Sequence, residues 1–339
     1  MEPKADRPEV KLQKIGHDKN MNSIVKRRTR MKDVCSLIEL GNGQQNNDLD
    51  MKTRSSTGYE FRKPEDDTIK EAYVHQYADL MPSVGLIYSN VTSGTIFRAG
   101  TKHAMTAWHV VKKITDPHGT KNYDFNKLNH PDIYITFGQA TRQFRLKGLD
   151  IFTDKNLDIS VLELTDDASS LPPPLKLLRD EVSGVNDVAI IGYGHPSDNS
   201  KRLTHSAKIL PRETVRNGLE NTMRIIDLNG SCLRSMIRSA GNDPNSVYKG
   251  YNGYDNPDRF LFNSYVGPGA SGSPMFSKED PSSLKVVGVY TSGYPEFAYY
   301  LPQSYTIAPE FTFEMATKMS SIYKSIASRD QNLMRDLFQ

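Results

Sequence analysis

Short apolar runs separated by turn residues occupy most of the chain after Pro82. Each run has the length of a β-strand and is rich in β-branched and aromatic residues, and such regular spacing is typical of a sandwich or a barrel. Six of them lie between residues 83 and 164: SVGLIYSN, SGTIFRAG, AMTAWHVV, DIYITFG, RQFRLKGLDIF and LDISVLEL. The pattern therefore predicts an all-β first half.

Three consecutive prolines interrupt this pattern in SSLPPPL at 169–175. A second β-rich set follows: DVAIIGYG, RLTHSAKIL, TMRIIDL, RFLFNSYV, LKVVGVYTSG and SYTIA. Two similar β-rich blocks joined by a proline linker favour two barrels over one continuous sheet. The pattern places barrel 1 at about 83–168 and barrel 2 at about 175–307.

The two ends of the chain differ from this middle. Residues 1–65 are rich in Lys, Asn, Gln, Asp and Ser, which is too little apolar content to offset the entropy of ordering, so we predict a mostly disordered, basic extension. At the other end Pro309 opens a predicted helix over about 309–327. Its apolar face carries Met315, Met319, Ile322 and Ile326. The folded domain is accordingly expected over 66–330.

The chain has a small excess of basic residues. The 43 Lys and Arg residues exceed the 40 Asp and Glu residues by three, and the densest basic run is Lys26–Lys32. Such a run is usually a solvated tail, and its alternative interpretation is contact with nucleic acid or a nuclear import factor.

Targeting and cysteine content indicate the compartment. No apolar run is long enough to span a membrane, and the polar N-terminus lacks the apolar core of a secretory signal. Only Cys35 and Cys232 are present, so we expect neither a disulfide framework nor a cysteine-based zinc site. We predict an intracellular protein, cytoplasmic or nuclear, without a cofactor.

The stretch VGPGASGSPMF at 266–276 has an unusual composition. Three glycines, two prolines and two serines in eleven residues exceed what a plain turn requires. The backbone is expected to bend tightly, with Ser271 held between Gly269 and Gly272. Such a loop is either packed for its own sake or presents a nucleophile beside an oxyanion site.

A nucleophilic serine requires a base and a carboxylate that orients the base. All eight histidines precede Ser271, which excludes the order of the α/β-hydrolases. His109 lies at the end of the apolar β run AMTAWHVV, and Asp158 lies at the mouth of the alternating strand LDISVLEL. Each alone has an ordinary structural explanation, as a packed histidine and a turn-capping aspartate.

Together these stretches resemble the trypsin/chymotrypsin-like serine proteases. TAWHV, DISVL and GASGSP match that family's T-A-x-H-V, D-[IL]-x-[LV]-L and G-x-S-G-x-P motifs in the family order. A fourth stretch, VVGVYTSG at 286–293, resembles the strand that pairs with the substrate backbone. The resemblance covers about residues 83–327 and implies two packed six-stranded antiparallel β-barrels with a C-terminal helix.

The resemblance also implies a role for each matching residue. Ser271 is expected to be the nucleophile, His109 the general base and then the acid, and Asp158 the group that orients the imidazole. The amide N–H groups of Gly269 and Ser271 are expected to form the oxyanion hole. The implied activity is hydrolysis of peptide bonds in a protein or peptide substrate through an acyl-enzyme intermediate.

The same resemblance places the substrate. Thr291, Ser292 and Gly293 are expected to bind its main chain. Tyr265 takes the floor position of the pocket for the P1 side chain, and Gln303 takes a wall position. Because no aspartate stands at the floor, we predict a preference for Phe, Leu or a small residue over Arg or Lys.

Two departures from the secreted members stand out. Ala270 replaces the aspartate that pairs with a new N-terminus on activation, so activation by that route is not expected. Val110 replaces a disulfide-bonded cysteine. Both bring the chain nearer to intracellular HtrA-like or viral chymotrypsin-fold proteases, although the PDZ domain of an HtrA protein is not expected after the C-terminal helix.

Two other interpretations stay open. One is a protease that processes an RNA-virus polyprotein, for which Leu337-Phe338-Gln339 has the form of a processing end. The second is a proteolytically silent barrel that serves as a binding module. A metal site on His103 and His109 would require a third ligand that the spacing does not supply, so no metal is expected.

Overall fold

The computed structural model describes residues 74–138, 142–181, 185–193, 201–217, 220, 255–264, 266, 269–278, 284–293 and 313–338. Lys63–Val215, Gly253–Tyr294 and Phe313–Gln339 form one compact unit, and the strands, terminal helices and candidate site described below belong to it. The predicted extension over 1–65 lies outside the described residues.

The first half of the unit is a seven-stranded antiparallel sheet with the order β5-β4-β1-β2-β3-β7-β6. Two helices accompany it: α1 (Val74–Tyr77) and α2 (Trp108–Thr115). Short 3-10 turns lie at Met81–Ser83, Phe125–Asn129 and Ala168–Ser170. The strands are β1 (Val84–Tyr88), β2 (Ser93–Ala99), β3 (His103–Ala107), β4 (Tyr134–Phe137), β5 (Gln143–Phe144), β6 (Phe152–Asp154) and β7 (Ile159–Glu163).

The second half is a closed six-stranded barrel with the order β10-β13-β12-β11-β8-β9. Two C-terminal helices follow it, α3 (Met319–Arg329) and α4 (Gln331–Phe338), and a helical segment covers 212–217. The strands are β8 (Asp187–Tyr193), β9 (Lys201–Ile209), β10 (Arg259–Asn263), β11 (Pro274–Ser277), β12 (Val286–Ser292) and β13 (Glu314–Lys318).

The predicted all-β fold with a C-terminal helix is confirmed. The described residues lie mainly in antiparallel strands, with one closed barrel, a second sheet and few helices. The first half differs in detail from the expected six-stranded barrel, because seven strands take part and the described order ends at β5 and β6.

The start of the C-terminal helix was predicted wrongly. The helix begins at Met319, whereas residues 314–318 form β13, so the barrel extends beyond residue 307. Met315 and Met319 have helical spacing, but β13 pairs with β10 on one side and with β12 on the other. Backbone hydrogen bonds to strands on both sides stabilise β13, whereas a helix at this place would leave both neighbouring strands unpaired. Met319, Ile322 and Ile326 are buried.

The core joins strands of both halves to the C-terminal helices. One apolar cluster includes Phe97 and Val161 from the first sheet, Ile191 and Phe276 from the barrel, and Ile322 from α3. All five side chains are inaccessible to solvent. Because the same apolar contacts support both halves, a change in one half is expected to affect the packing of the other.

Helix α4 is fastened to the β2–β3 turn by Asp336. Its carboxylate accepts hydrogen bonds from the amide and the hydroxyl of Thr101, and it lies 2.7 Å from Nδ1 of His103. His103 is therefore a structural residue that pairs with a carboxylate. Burial pushes the pKa of the Asp336 carboxyl up, but the hydrogen bonds from Thr101 and His103 outweigh burial and lower this pKa.

We expect Asp336→Asn to lower the free energy of unfolding at pH 7 by up to about 1 kcal/mol, because Asp336 is partly exposed and solvent screens its charge. A lowered folded-state pKa stabilises the fold above the unfolded value of about 4, and this stability is lost as the pH falls further. Urea unfolding at pH 7 and at pH 3 should show a gap between variant and wild type that closes at pH 3.

The matched control is Asp167→Asn. Its side chain is 90% exposed and its carboxylate lies 3.8 Å from Lys102, so no measurable change is expected. Equal stability of Asp336→Asn and wild type at pH 7 would show that the contact does not fasten α4.

No helix within the described ranges is long and apolar enough to cross a membrane.

Candidate active site

His109 lies on the first turn of α2, not on the apolar strand that the sequence predicted. Strand β3 ends at Ala107, whose extended backbone (φ −73°, ψ 139°) leads directly into the helix. The change occurs where the pairing with β7 ends, at Ala107 opposite Ile159. Beyond it, Val111 and Thr115 are buried at helical spacing. The helix start thus places His109 at the end of the sheet.

Asp158 ends the tight turn that precedes β7. Its φ of +57° lies in the left-handed region, which an aspartate tolerates better than most residues. Its carbonyl accepts a hydrogen bond of 2.9 Å from the Trp108 amide. The carboxylate makes two contacts with His109: Oδ1 accepts from the amide at 2.9 Å, and Oδ2 lies 2.7 Å from Nδ1. The carboxylate is thereby held in one orientation.

This pair of residues can act as an oriented base. Because Nδ1 of His109 faces a carboxylate, it carries the proton, and Nε2 keeps its lone pair. The His109 side chain is 36% exposed and the Asp158 side chain is 16% exposed. The imidazole is therefore accessible on one side, while its carboxylate partner is largely shielded from water.

The Ser271 loop is tied by its backbone to both halves of the fold. The Ser271 carbonyl accepts from the Thr95 amide of β2 at 2.9 Å. The next residue, Gly272, donates its amide to the Tyr290 carbonyl of β12 at 2.8 Å. Ser273 closes the loop by donating its amide to the Ala270 carbonyl at 2.9 Å. These bonds fix the backbone on both sides of Ser271.

The same loop lies close to the start of α2. A Cβ on Gly272 would lie 3.1 Å from the Ala107 amide nitrogen, and one on Gly94 would meet Val110 at 2.8 Å and the Ser271 carbonyl at 3.2 Å. Ser271 is thus brought next to the helix turn that carries His109. Among the described contacts, no hydrogen bond joins Ser271 Oγ to the imidazole, and such bonds are often long before substrate binds.

Gly269 has a backbone conformation that a side chain would strain. Its φ is +96°, a value that favours glycine, and its carbonyl accepts from Thr95 Oγ1 at 2.9 Å. Among the described residues, neither the Gly269 amide nor the Ser271 amide has an acceptor. Two backbone donors are therefore available on the two sides of Ala270.

Thr95 organises this loop, and sequence reasoning missed it. Its hydroxyl bonds Gly269 and also accepts from the Tyr193 amide at 2.9 Å. Its carbonyl accepts from Thr106 Oγ1 at 2.6 Å. A threonine in SGTIFRAG reads as an ordinary strand residue, and nothing in the local pattern distinguishes it.

The predicted substrate strand is the end of β12. Thr291 and Ser292 are its last residues, and Gly293 follows. A Cβ on Gly293 would collide with the carboxylate of Glu314 and would lie 2.9 Å from the Tyr290 hydroxyl. Glu314, also missed from the sequence, is fully buried and accepts from that hydroxyl at 2.7 Å.

The structure does not test the two residues that were predicted for the P1 pocket. Tyr265 and Gln303 lie outside the described residues, so the P1 preference stays a prediction. In the described part of the chain, no group of three or more His, Cys, Asp or Glu residues has the arrangement of a metal site.

Comparison with solved structures gives trypsin-fold proteases at low identity. The active form of Rv3671c protease from M. tuberculosis is 18% identical, with 78% of this chain and 90% of that chain covered and a TM-score of 0.43. The Yersinia pestis serine endoprotease is 14% identical, with 79% and 68% covered and a TM-score of 0.45. Kallikrein-related peptidase 10 is 13% identical, with 74% and 98% covered and a TM-score of 0.42.

Among curated proteins, no significant match is found. A family model gives the assignment: the trypsin-like peptidase domain matches residues 92–289, a span that includes His109, Asp158 and Ser271. Because this match covers more than half of the 339 residues, the chain belongs to the family of trypsin-like peptidase domains.

Proposed function

We propose that the chain is a serine endopeptidase in which His109, Asp158 and Ser271 form the catalytic triad. The observation that carries the proposal is the double contact between Asp158 and His109, at 2.9 Å and 2.7 Å. A structural histidine needs one partner. Here one carboxylate fixes both the backbone and the ring, which is the arrangement of an oriented general base.

The chemistry follows from the proton positions. Nε2 of His109 takes the hydroxyl proton as Ser271 Oγ attacks the substrate carbonyl carbon, and a tetrahedral intermediate forms. The imidazolium then gives this proton to the leaving amine, and the acyl-enzyme remains. Water then attacks the acyl-enzyme while His109 takes its proton. The imidazolium returns this proton to Ser271 Oγ, and the acid product leaves. Asp158 stabilises the imidazolium in both steps without taking up the proton.

The amides of Gly269 and Ser271 stabilise the oxyanion. Their lack of an acceptor among the described residues supports this role, because a preorganised donor loses no bond when the oxyanion forms. Removing one such donor typically costs about 10²–10³ in kcat. The substrate backbone adds as a strand beside Thr291, Ser292 and Gly293.

The proposed enzyme is not expected to be activated by a new N-terminus. Ala270 is 1% exposed and belongs to an apolar cluster with Val266, Met275 and Tyr290. A charged pair at this position would be desolvated among apolar side chains. The intracellular location and a contact of Lys26–Lys32 with nucleic acid or an import factor stay predictions, and that run lies outside the described residues.

Labelling with a fluorophosphonate tests the proposal directly. We expect a mass adduct on Ser271 in the native wild type and none in Ser271→Ala or His109→Ala. The matched control is Ser170→Ala, which removes a hydroxyl from an exposed turn and should label like the wild type. A native, folded wild type without an adduct would favour the silent binding module.

The orienting role of Asp158 gives a separate prediction. We expect Asp158→Asn to lower kcat by about 10⁴, because the amide favours the wrong tautomer of His109. Steady-state cleavage of a peptide substrate measures this, with KM expected to change little. A loss of less than tenfold would show that Asp158 does not orient the base.

A further inference from the structure

The turn that carries Asp158 is held by two side chains of the second barrel. Nη2 of Arg259 donates to the Asn156 carbonyl at 3.4 Å, and Oγ1 of Thr317 donates to the Leu157 carbonyl at 2.6 Å. These are the two carbonyls immediately before Asp158. The turn therefore depends on residues more than 100 positions away along the chain.

Both side chains come from one level of the barrel. Arg259 opens β10 and lies directly opposite Thr317 of β13 in the antiparallel register. Thr317 is fully buried and its hydroxyl bond lies inside the protein. The side chains of directly opposite residues lie side by side at a fixed distance. The two donors can therefore reach two successive carbonyls of the turn.

Arg259 also brings a positive charge to this place. Burial lowers the pKa of its guanidinium, and the carboxylates of Asp158 and Asp258 oppose this effect. Among the described residues its buried Nε has no hydrogen-bond partner, and its bond to the turn is the one from Nη2 to the Asn156 carbonyl.

The other charged groups around the turn have their own partners. Asp258 accepts from Ser321 Oγ at 2.8 Å. Asp154 is bonded by Ser325 Oγ at 2.6 Å and by Arg329. The Nζ of Lys155 lies 4.4 Å from the Tyr123 ring. Among these groups, Arg259 is the cation that bonds the turn before Asp158, through the Asn156 carbonyl.

We propose that Arg259 and Thr317 are positioning residues, which hold the turn that presents Asp158 to His109. The kinetic part of this inference rests on the proposed function, in which Asp158 orients the base. Both residues act through the hydrogen bonds that they donate to the two carbonyls before Asp158. Two side chains of the closed barrel thereby position a residue that directly precedes β7 of the first sheet.

Amide hydrogen exchange gives a readout that does not require activity. The His109 amide donates to Asp158 Oδ1 at 2.9 Å, so this amide is protected only while the turn holds Asp158 in place. We expect Arg259→Met and Thr317→Val each to raise the exchange rate of the His109 amide about two- to tenfold, the effect of losing one hydrogen bond to the turn.

The experiment uses four variants of the full chain: Arg259→Met, Arg259→Lys, Thr317→Val and Thr317→Ser. NMR measures the hydrogen exchange of the His109 amide, and peptide cleavage gives kcat and KM. Arg259→Met and Thr317→Val should each lower kcat about tenfold at unchanged KM, because each removes one hydrogen bond to the turn. Arg259→Lys and Thr317→Ser keep a donor, so they should retain wild-type exchange and most of kcat.

The outcomes separate this inference from the proposed function. Wild-type exchange and kinetics in both Arg259→Met and Thr317→Val, with melting curves showing a folded protein, would overturn the inference while peptide cleavage stands. Equal losses in Thr317→Val and Thr317→Ser would also overturn it, because the hydroxyl would not be the cause. Absence of cleavage in the wild type, with faster exchange in Arg259→Met and Thr317→Val, would overturn the proposed function alone.

Discussion

We expect Ser271→Ala to lower kcat/KM for a cleaved peptide by about 10⁴–10⁶ and to leave the fold unchanged. In the proposed mechanism, the substitution removes the Oγ that forms the acyl-enzyme. The bonds that hold the loop come from the backbone of Ser271 and Gly272 and are kept. Peptide hydrolysis, together with a urea unfolding curve of each protein, measures both parts of this expectation.

A double variant tests whether Ser271 and His109 act as one unit. Residues that act as one unit lose little more when a second member is removed, so Ser271→Ala combined with His109→Ala should be about as inactive as either single variant. Cleavage by Ser271→Ala within tenfold of the wild type would show that another group is the nucleophile. A large loss of stability would mean that the activity loss reflects unfolding.

Gly272→Ala is expected to have the largest effect on stability. At a φ of +96° any L side chain is strained, and the new Cβ would collide with the Thr95 carbonyl and lie 2.5 Å from Thr106 Oγ1. Strain and overpacking together should cost about 2–5 kcal/mol of unfolding free energy. The Ser271 loop would also be pushed from β2, so peptide cleavage should fall with stability.

The matched control for this prediction is Gly119→Ala. Gly119 has a φ of +69° but nothing within 4 Å of its ideal Cβ position, so it tests conformational strain without collision. We expect a cost of about 1 kcal/mol there. Denaturant midpoints at constant slope give both values. Equal costs at the two glycines would show that close packing of the Ser271 loop against Thr95 contributes nothing.

The fold class and the site motifs follow from short local patterns. Alternating strands, the proline linker and the motifs around His109, Asp158 and Ser271 predicted a trypsin-like β-protein. Such patterns are informative because strand periodicity and tight turns depend on a few neighbouring residues. The helix after Ala107 was missed because apolar residues from 104 to 111 suit a strand as well as the first turn of a buried helix.

Local patterns do not predict the positions that depend on contacts between distant segments. Met315 has helical spacing with Met319, yet it lies in a strand because β10 and β12 leave a place for one. Thr95, Glu314 and Arg259 carry no distinguishing local signal. Each gains its role from partners that lie far away along the chain.

By itself the sequence determined the β-rich class, the order of histidine, aspartate and serine, and the glycines that let the backbone bend at Gly269 and Gly272. Only the tertiary structure decided that Asp158 contacts His109 twice, that Thr95 fixes the serine loop, and that Arg259 and Thr317 hold the Asp158 turn. The physical reason is that strand periodicity and turn geometry are local properties, whereas hydrogen bonds between segments exist only after the strands pair.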